Sequence, residues 1–544
     1  MTSSRKNSAG LACLTTWLCL GTLIAGCQGK LGNNDDPPLK TSAVNVLTYH
    51  NDNARTGQNL NETLLTPANV NPAKFGKLTF LPVQGLVDAQ PLYVSNLSIE
   101  EKPHNVLYVA TEHDLVYAFD ADTFALLWQV SLLAPGETTS GRLDCEQIMP
   151  EIGITATPVV DLKAGQHGAI YVVAMSKDGH HHYFHRLHAL DLATGAELNG
   201  APRLIEATAR GSGAGSRNGR TIFNPRQYEE RAALLLANGI VYTTWASHCD
   251  HDPYTSWVIA YKADTLRPAA VLNLTPNGSE GAIWMTGDGP AADEQGNIHL
   301  LTGNGTFDTR LDANGFPLLG DFGNAFVKLS WSRDQLVVTD YFTMHNTVAE
   351  SSKDEDLGSG GILLLPDVQD STGKVRHLAV GAGKDQIIYV VDRDSMGKFD
   401  HHTNKIYQEI HGALGGSEFA KPAYFNGTLY YGAFMAPLKA FPIVNGEISL
   451  MPSSKTADVF DYPGTTPTIS ANGNSSGIIW AVQNAESGVL HAYDATDLSK
   501  EFYNSERAGL RDKFTDNKFI APVVANGKVF VGTPTGVTVF GLLP

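Results

Sequence analysis

The chain has 544 residues, 42% of them hydrophobic and 17% charged, with a formal net charge of −17. It is long and apolar enough to bury a large core. Its acidic balance excludes a nucleic-acid partner, because phosphate contacts need a cationic face, but it leaves room for a small anionic ligand, which feels only its local field.

The N-terminus reads as an address. Arg5 and Lys6 precede the apolar run LACLTTWLCLGTLIAG, which ends in the lipobox-like Ile24-Ala25-Gly26-Cys27. Residues 1–26 are therefore expected to be a lipoprotein signal peptide, Cys27 the lipidated residue, and 27–44 a flexible tether. Gln28 is compatible with sorting to the outer membrane, so the expected location is the bacterial cell envelope, with the lipid anchor in the membrane. No later segment is long and apolar enough to span a bilayer. Cys13 and Cys19 leave with the signal, so Cys145 and Cys249 remain and one disulfide is possible. The chain has no CxxCH and so no c-type haem of its own.

Beyond the tether one unit recurs. Its best copy is NVLYVATEHDLVYAFDADTFALLWQV, preceded by QPLYV, a pattern of four short strands. Further copies begin near Thr157, Leu234, Gly289, Gly361, Lys421, Thr466 and Ala521, making eight. The last copy stops without its outer strand, and a spare strand, FGKLTFLPVQG, precedes the first. Pairing the two removes exposed edges and predicts an all-β, eight-bladed propeller over 45–544, its final blade closed by the N-terminal strand.

This architecture sorts the loops. Turns such as Ala237-Asn238-Gly239, Ala525-Asn526-Gly527 and Ala193-Thr194-Gly195 lie on one face and are bland. The other face carries Glu112-His113-Asp114, SHCDHDP, NGSEGAIW, NGTFD, KDEDLGSGG and GKDQ, and function is expected there. Glu112-His113-Asp114 reads as channel lining. The histidines at 180, 181, 182, 185 and 188 fit no metal spacing and read as a solvated loop.

VLTYHNDNARTGQNLNETLLTPANVN, the repeats and GKVRHLAVGAGKDQIIYVVDRDSMGKF resemble the quinoprotein alcohol dehydrogenase family, whose eight-bladed propellers bind pyrroloquinoline quinone (PQQ). The resemblance implies PQQ with Ca²⁺ or a lanthanide ion, a small hydroxylated substrate and a separate electron acceptor. It places Lys384 on the quinone, Asp88 near it and Trp284 beneath it. Asn304 would ligate the metal. In Asp354-Glu355-Asp356, the first Asp would be the catalytic base and the second an extra ligand in lanthanide-using members. The family's principal metal-binding Glu falls near SHCDHDP, where Asp250 or Asp252 could stand in.

The residue chemistry agrees. PQQ is flat and carries carboxylates, so it wants an aromatic plate, a cation and a hard metal, and alcohol oxidation needs a carboxylate base. Two features depart from the family. Its adjacent cysteine pair is replaced by Asp144-Cys145-Glu146, and the arginine expected just after is missing. A Cys145–Cys249 bridge would be a substitute lid. The departures favour a rival reading, a non-catalytic propeller scaffold or ligand-binding lipoprotein with an envelope-protein partner. A third, polysaccharide binding or cleavage, has only the aromatic loops behind it.

Overall fold

The computed structural model describes residues 44–544 except Arg142, Asn199 and Glu486. The expected signal peptide, Cys27 and nearly all of the tether lie outside the described residues. Eight sheets of four or five strands form a ring, and helix is confined to a few short turns. The architecture is an eight-bladed β-propeller.

Each blade is an antiparallel meander. In the first, Leu92–Ile99, Lys102–Ala110, Leu115–Asp120 and Leu126–Ser131 pair in sequence order. The strands are short, β-branched and aromatic, and because side chains alternate, each blade can bury both faces against its neighbours. One seam packs Tyr93, Leu107 and Val109 of the first blade against Phe530, Val537 and Val539 of the last. The ring closes where the repeats predict: Phe75–Pro82 pairs antiparallel with Gly536–Leu542, from Phe75 opposite Leu542 to Pro82 opposite Gly536. No sheet edge is left at the seam.

The segment between residues 46 and 62 has a role the repeats do not reveal. It threads the channel and bonds to every blade in turn. Val46 bridges Tyr93, and Leu47 accepts from Val160. The Asn53 amide donates to Leu236, and the Asn53, Ala54 and Thr56 carbonyls accept from Ala292, Leu364 and Tyr424. Gln58 and Asn59 run parallel to Ile469 and Ser470, and the Asn59 amide reaches Val524 of the last blade. The segment ends against the bland-face turns, where Leu60 O and the Glu62 carboxylate accept from Gly473 and Gly527.

A buried charge cluster anchors this plug. Arg55, Asp288 and Lys421 are fully buried. Lys421 Nζ lies 2.9 Å from Asp288 Oδ2, and the Arg55 guanidinium bonds to Thr48 Oγ1 and to the carbonyls of Tyr49, Leu234 and Pro290. The channel is thus filled from the bland side, and its open mouth lies on the loop-rich face.

Candidate functional site

The eight inner strands begin at Leu92, Val159, Leu235, Ala291, Leu363, Ala423, Thr468 and Val523. Four residues before each lies a position at the channel mouth. In order these are Asp88, Thr155, Arg231, Gly287, Ser359, Phe419, Gly464 and Phe519. All but Ser359 line the cavities found there. In most blades a proline starts the inner strand, so the position reads as the third residue before that proline.

The principal cavity, about 280 Å³, is bordered by Glu229, Arg231, Asp250, Trp284, Lys384 and Phe419, with Tyr462 and Phe519 at the rim. Two of its bordering residues, Trp284 and Lys384, belong to one hydrogen-bonded cluster drawn from four loops, whose other members, Asn304, Asp354 and Asp356, do not border the cavity themselves. Trp284 Nε1 donates to Asp356 Oδ2 at 2.9 Å. Asn304 N donates to Asp356 Oδ1 at 3.3 Å, and Asn304 Nδ2 to Asp354 Oδ1 at 2.7 Å. Lys384 Nζ lies 2.6 Å from Asp354 Oδ1 and 3.9 Å from Asp356 Oδ2. Two glycines make the assembly possible: a Cβ on Gly303 would meet Asp356 Oδ1 at 2.9 Å, and one on Gly383 would meet the Asp356 carbonyl at 2.4 Å.

The electrostatics are unbalanced. Asp356 is buried, and burial pushes its carboxyl up to about 6 against the pull of Lys384 and the Trp284 bond, with Asp250 and Asp354 pushing further. Asn304 Oδ1 is buried without a hydrogen-bond partner. Its amide nitrogen faces Asp354 and its main-chain N–H faces Asp356, so the orphaned oxygen is one free donor of the kind a hard cation takes.

The structure therefore brings Trp284, Asn304, Asp354, Asp356 and Lys384 into direct contact and sets Asp250 on the same cavity wall, where its carboxylate accepts from Tyr254 at 2.9 Å. Asp88 does not line this cavity. It accepts from Asn517 at 2.8 Å and borders a narrow neighbouring cleft of about 20 Å³ that shares Arg231, Gln147 and Phe519 with it. Cys145 and Cys249 are joined in a disulfide that ties the loop of blade two to SHCDHDP, and Cys249 reaches the cavity. Glu112 and Asp114 are buried, with carboxyls raised by burial, and His113 pairs with Glu151 at 2.7 Å. His180, His181 and His182 are exposed. His185 and His188 instead sit buried on the strand Tyr183–Asp191, a correction to the single solvated loop, because both faces of that strand are covered: His185 continues the face of Leu187 and Ala189, and His188 the face of Leu190.

Sequence reasoning misses Arg231, Phe419, Phe519 and Glu229 of the cavity wall and Lys518 of the neighbouring cleft. Arg231 stacks on Phe519 at 4.7 Å, and the Lys384 amine lies 5.9 Å from the Phe419 ring. Lys518, in the narrow cleft beside them, adds a further cation. Glu229 is buried on the wall, its Oε2 3.2 Å from His248 and its Oε1 without a partner. For Arg231, Phe419 and Phe519 the repeat register before each inner strand would have found them; Glu229 carries no such signal.

No protein-family profile matches the chain, and no curated protein sequence matches it. Solved structures do. The quinohemoprotein alcohol dehydrogenase of Comamonas testosteroni superposes with a TM-score of 0.57 at 15% identity, covering 92% of this chain and 80% of that one. The quinohemoprotein alcohol dehydrogenase of Pseudomonas putida HK5 gives the same values. A europium-containing methanol dehydrogenase gives 0.57 at 12% identity, over 92% of this chain and 98% of the other. At such identities the likeness establishes the fold, an eight-bladed propeller of the kind those dehydrogenases have.

Proposed function

We propose that this chain is an exported, lipid-anchored, quinoprotein-type oxidoreductase of the cell envelope. It oxidises the hydroxyl of an alcohol, polyol or sugar with PQQ and Ca²⁺ or a lanthanide ion, and it passes electrons to a separate acceptor. The observation that carries this reading is the orphaned, buried Oδ1 of Asn304, a residue bonded to Asp354 and Asp356 in the cluster that also holds Trp284 and Lys384.

The residues fit the cofactor. Trp284 and Phe419 offer aromatic faces, and Lys384, Arg231 and Lys518 offer cations for its carboxylates. Asn304, Asp356 and Asp250 offer oxygen ligands for the ion. When bound, PQQ supplies a quinone that takes up the two electrons leaving the substrate carbon. The chain's own part is positional and acid–base. Asp354 is 70% exposed at the mouth, where a substrate hydroxyl can reach it, and takes the hydroxyl proton. Lys384, 2.6 Å away, orients it. The aromatic rim of Tyr462 and Phe519 narrows the mouth and excludes water from one side.

The scaffold reading has two observations in its favour. Lys384 and Asp354 neutralise each other without any ligand, and the family's paired cysteines and following arginine are absent.

The test is to express the chain from Gln28 onward, strip metals, and add PQQ with Ca²⁺ or La³⁺ while following tryptophan quenching. Saturable, metal-dependent binding, then hydroxyl oxidation with an artificial acceptor, is the expected result. A folded protein that binds PQQ with neither ion returns the chain to the scaffold reading.

A further inference from the structure

Between the outer edges of blades six and seven lies a second polar cluster, none of whose members borders the principal cavity. Asp458 comes from the outer strand of blade six, Ser454–Phe460. His491 and Tyr493 come from the third strand of blade seven, Val489–Asp494, and Glu501 from its outer strand, Asp497–Asn504. One ligand atom each from Asp458, His491 and Glu501 lies within 4.8 Å of the others. The His491 side chain is 1% exposed and that of Glu501 9%.

The orientation of the imidazole is set from behind. Gln483 donates its amide to Val459 O at 3.1 Å, which turns its Oε1 toward His491 Nε2 at 3.2 Å. Nε2 therefore carries the proton, the arrangement by which ligating histidines are usually held. That leaves Nδ1 facing Glu501 Oε1 at 2.8 Å and the Tyr493 hydroxyl at 2.9 Å, with Asp458 Oδ2 at 3.9 Å. Tyr493 spends its hydroxyl proton on Asp458 Oδ2 at 2.9 Å. Asn504 Nδ2 donates to Glu501 Oε1 at 3.1 Å and lies 3.5 Å from Nδ1, but with Nε2 protonated nothing donates along the 2.8 Å line between Nδ1 and Glu501 Oε1, and a positive species there would relieve the approach. A second proton would satisfy Nδ1 and Glu501 alone. A metal ion would draw on Asp458 as well. The nearest fixed cation, Arg507, binds the far oxygen of Glu501 at 2.7 Å and is 64% exposed, so it answers only part of the charge of two carboxylates.

We propose that Asp458, His491 and Glu501 form a metal site for a divalent first-row ion of the Zn²⁺ class, clipping blade six to blade seven. An imidazole with two carboxylates selects such ions over Ca²⁺, which prefers oxygen donors alone. The site is independent of any quinone.

The chain from Gln28 onward, stripped with chelator, is titrated with Zn²⁺ and separately with Ca²⁺, following bound metal by elemental analysis and the melting temperature. The expected result is one equivalent of Zn²⁺ that raises the melting temperature and is not displaced by Ca²⁺. It persists in Asn304→Ala, which disturbs only the cavity, and in a His180→Ala/His182→Ala variant, which removes exposed imidazoles. It is lost in Asp458→Asn, an isosteric change whose metal-free melting temperature reports the fold, and in His491→Gln. Zn²⁺ retained by both of these variants, or no bound equivalent in the parent chain, overturns the proposal and leaves His491 holding a second proton.

Discussion

Two lysine–aspartate contacts in this propeller use the same chemistry to opposite ends. In the plug, Lys421 and Asp288 are both fully buried, 2.9 Å apart, with Arg55 and main-chain carbonyls close about them. At the mouth, Lys384 and Asp354 are 2.6 Å apart, but Asp354 is 70% exposed and an amide oxygen beside them has no partner. The first contact is enclosed by its surroundings and holds the N-terminal segment in the channel. The second is left open toward a cavity of about 280 Å³. Asp288 Oδ1 in the plug also lacks a hydrogen-bond partner, so it is burial, not completeness or residue type, that separates the structural ion pair from the candidate site.

Breaking the plug should have the largest effect. Lys421→Met leaves Asp288 buried with main-chain donors such as the Ile362 amide at 3.1 Å and the Arg55 cation at 3.9 Å, and it should cost about 3–5 kcal/mol in denaturant unfolding. Next comes the bridge that ties the mouth loops together. Cys145→Ser with Cys249→Ser opens a crosslink spanning 104 residues and should cost about 2–4 kcal/mol, with weaker cation binding because Asp250 follows Cys249 directly.

A third change should stabilise. Glu418 is fully buried, with one oxygen on the Ala420 amide and the other unpartnered, and burial pushes its carboxyl up to about 8. The native state thus holds a proton that the unfolded chain releases above its ordinary value of 4.5, so stability falls as pH rises from there to about 8. Glu418→Gln removes this loss. Its advantage over the parent chain should grow by up to ~1.4 kcal/mol per pH unit across that window and level off above it, measured as unfolding free energy against pH.

The smallest effect on the fold, and the sharpest on the site, should come at the mouth. Lys384→Ala or Asn304→Ala should change stability by at most about 1 kcal/mol while abolishing metal-dependent PQQ binding. Cation affinity should also fall as pH drops through about 6, because protons then compete for the Asp356 carboxylate, which burial raises to that value. Titrations at a series of pH values check this.

The ring and its closure were legible because short apolar strands alternate with Gly- and Asn-bearing turns, and because the spare strand 75–85 matches the one the last repeat lacks. The cluster of Trp284, Asn304, Asp354, Asp356 and Lys384 was legible through a family pattern that its contacts now bring together. The plug was not, because residues 46–62 make their bonds mostly to main-chain groups of distant strands, which leave no mark in side-chain pattern. Asp88 shows the limit of position alone. It occupies the same repeat register as Arg231 and Phe519, yet Asn517 holds it in the neighbouring cleft.

The most direct test is terbium luminescence. Tb³⁺ is a hard, lanthanide-class ion, and Trp284, bonded to Asp356 at 2.9 Å, is placed to sensitise its emission. Saturable emission excited through tryptophan, lost in Asn304→Ala and Asp356→Asn and dimmed in Trp284→Phe with binding retained, is the predicted result. Emission indifferent to all three substitutions, or none in the folded parent chain, would contradict a cation site at the mouth of this propeller.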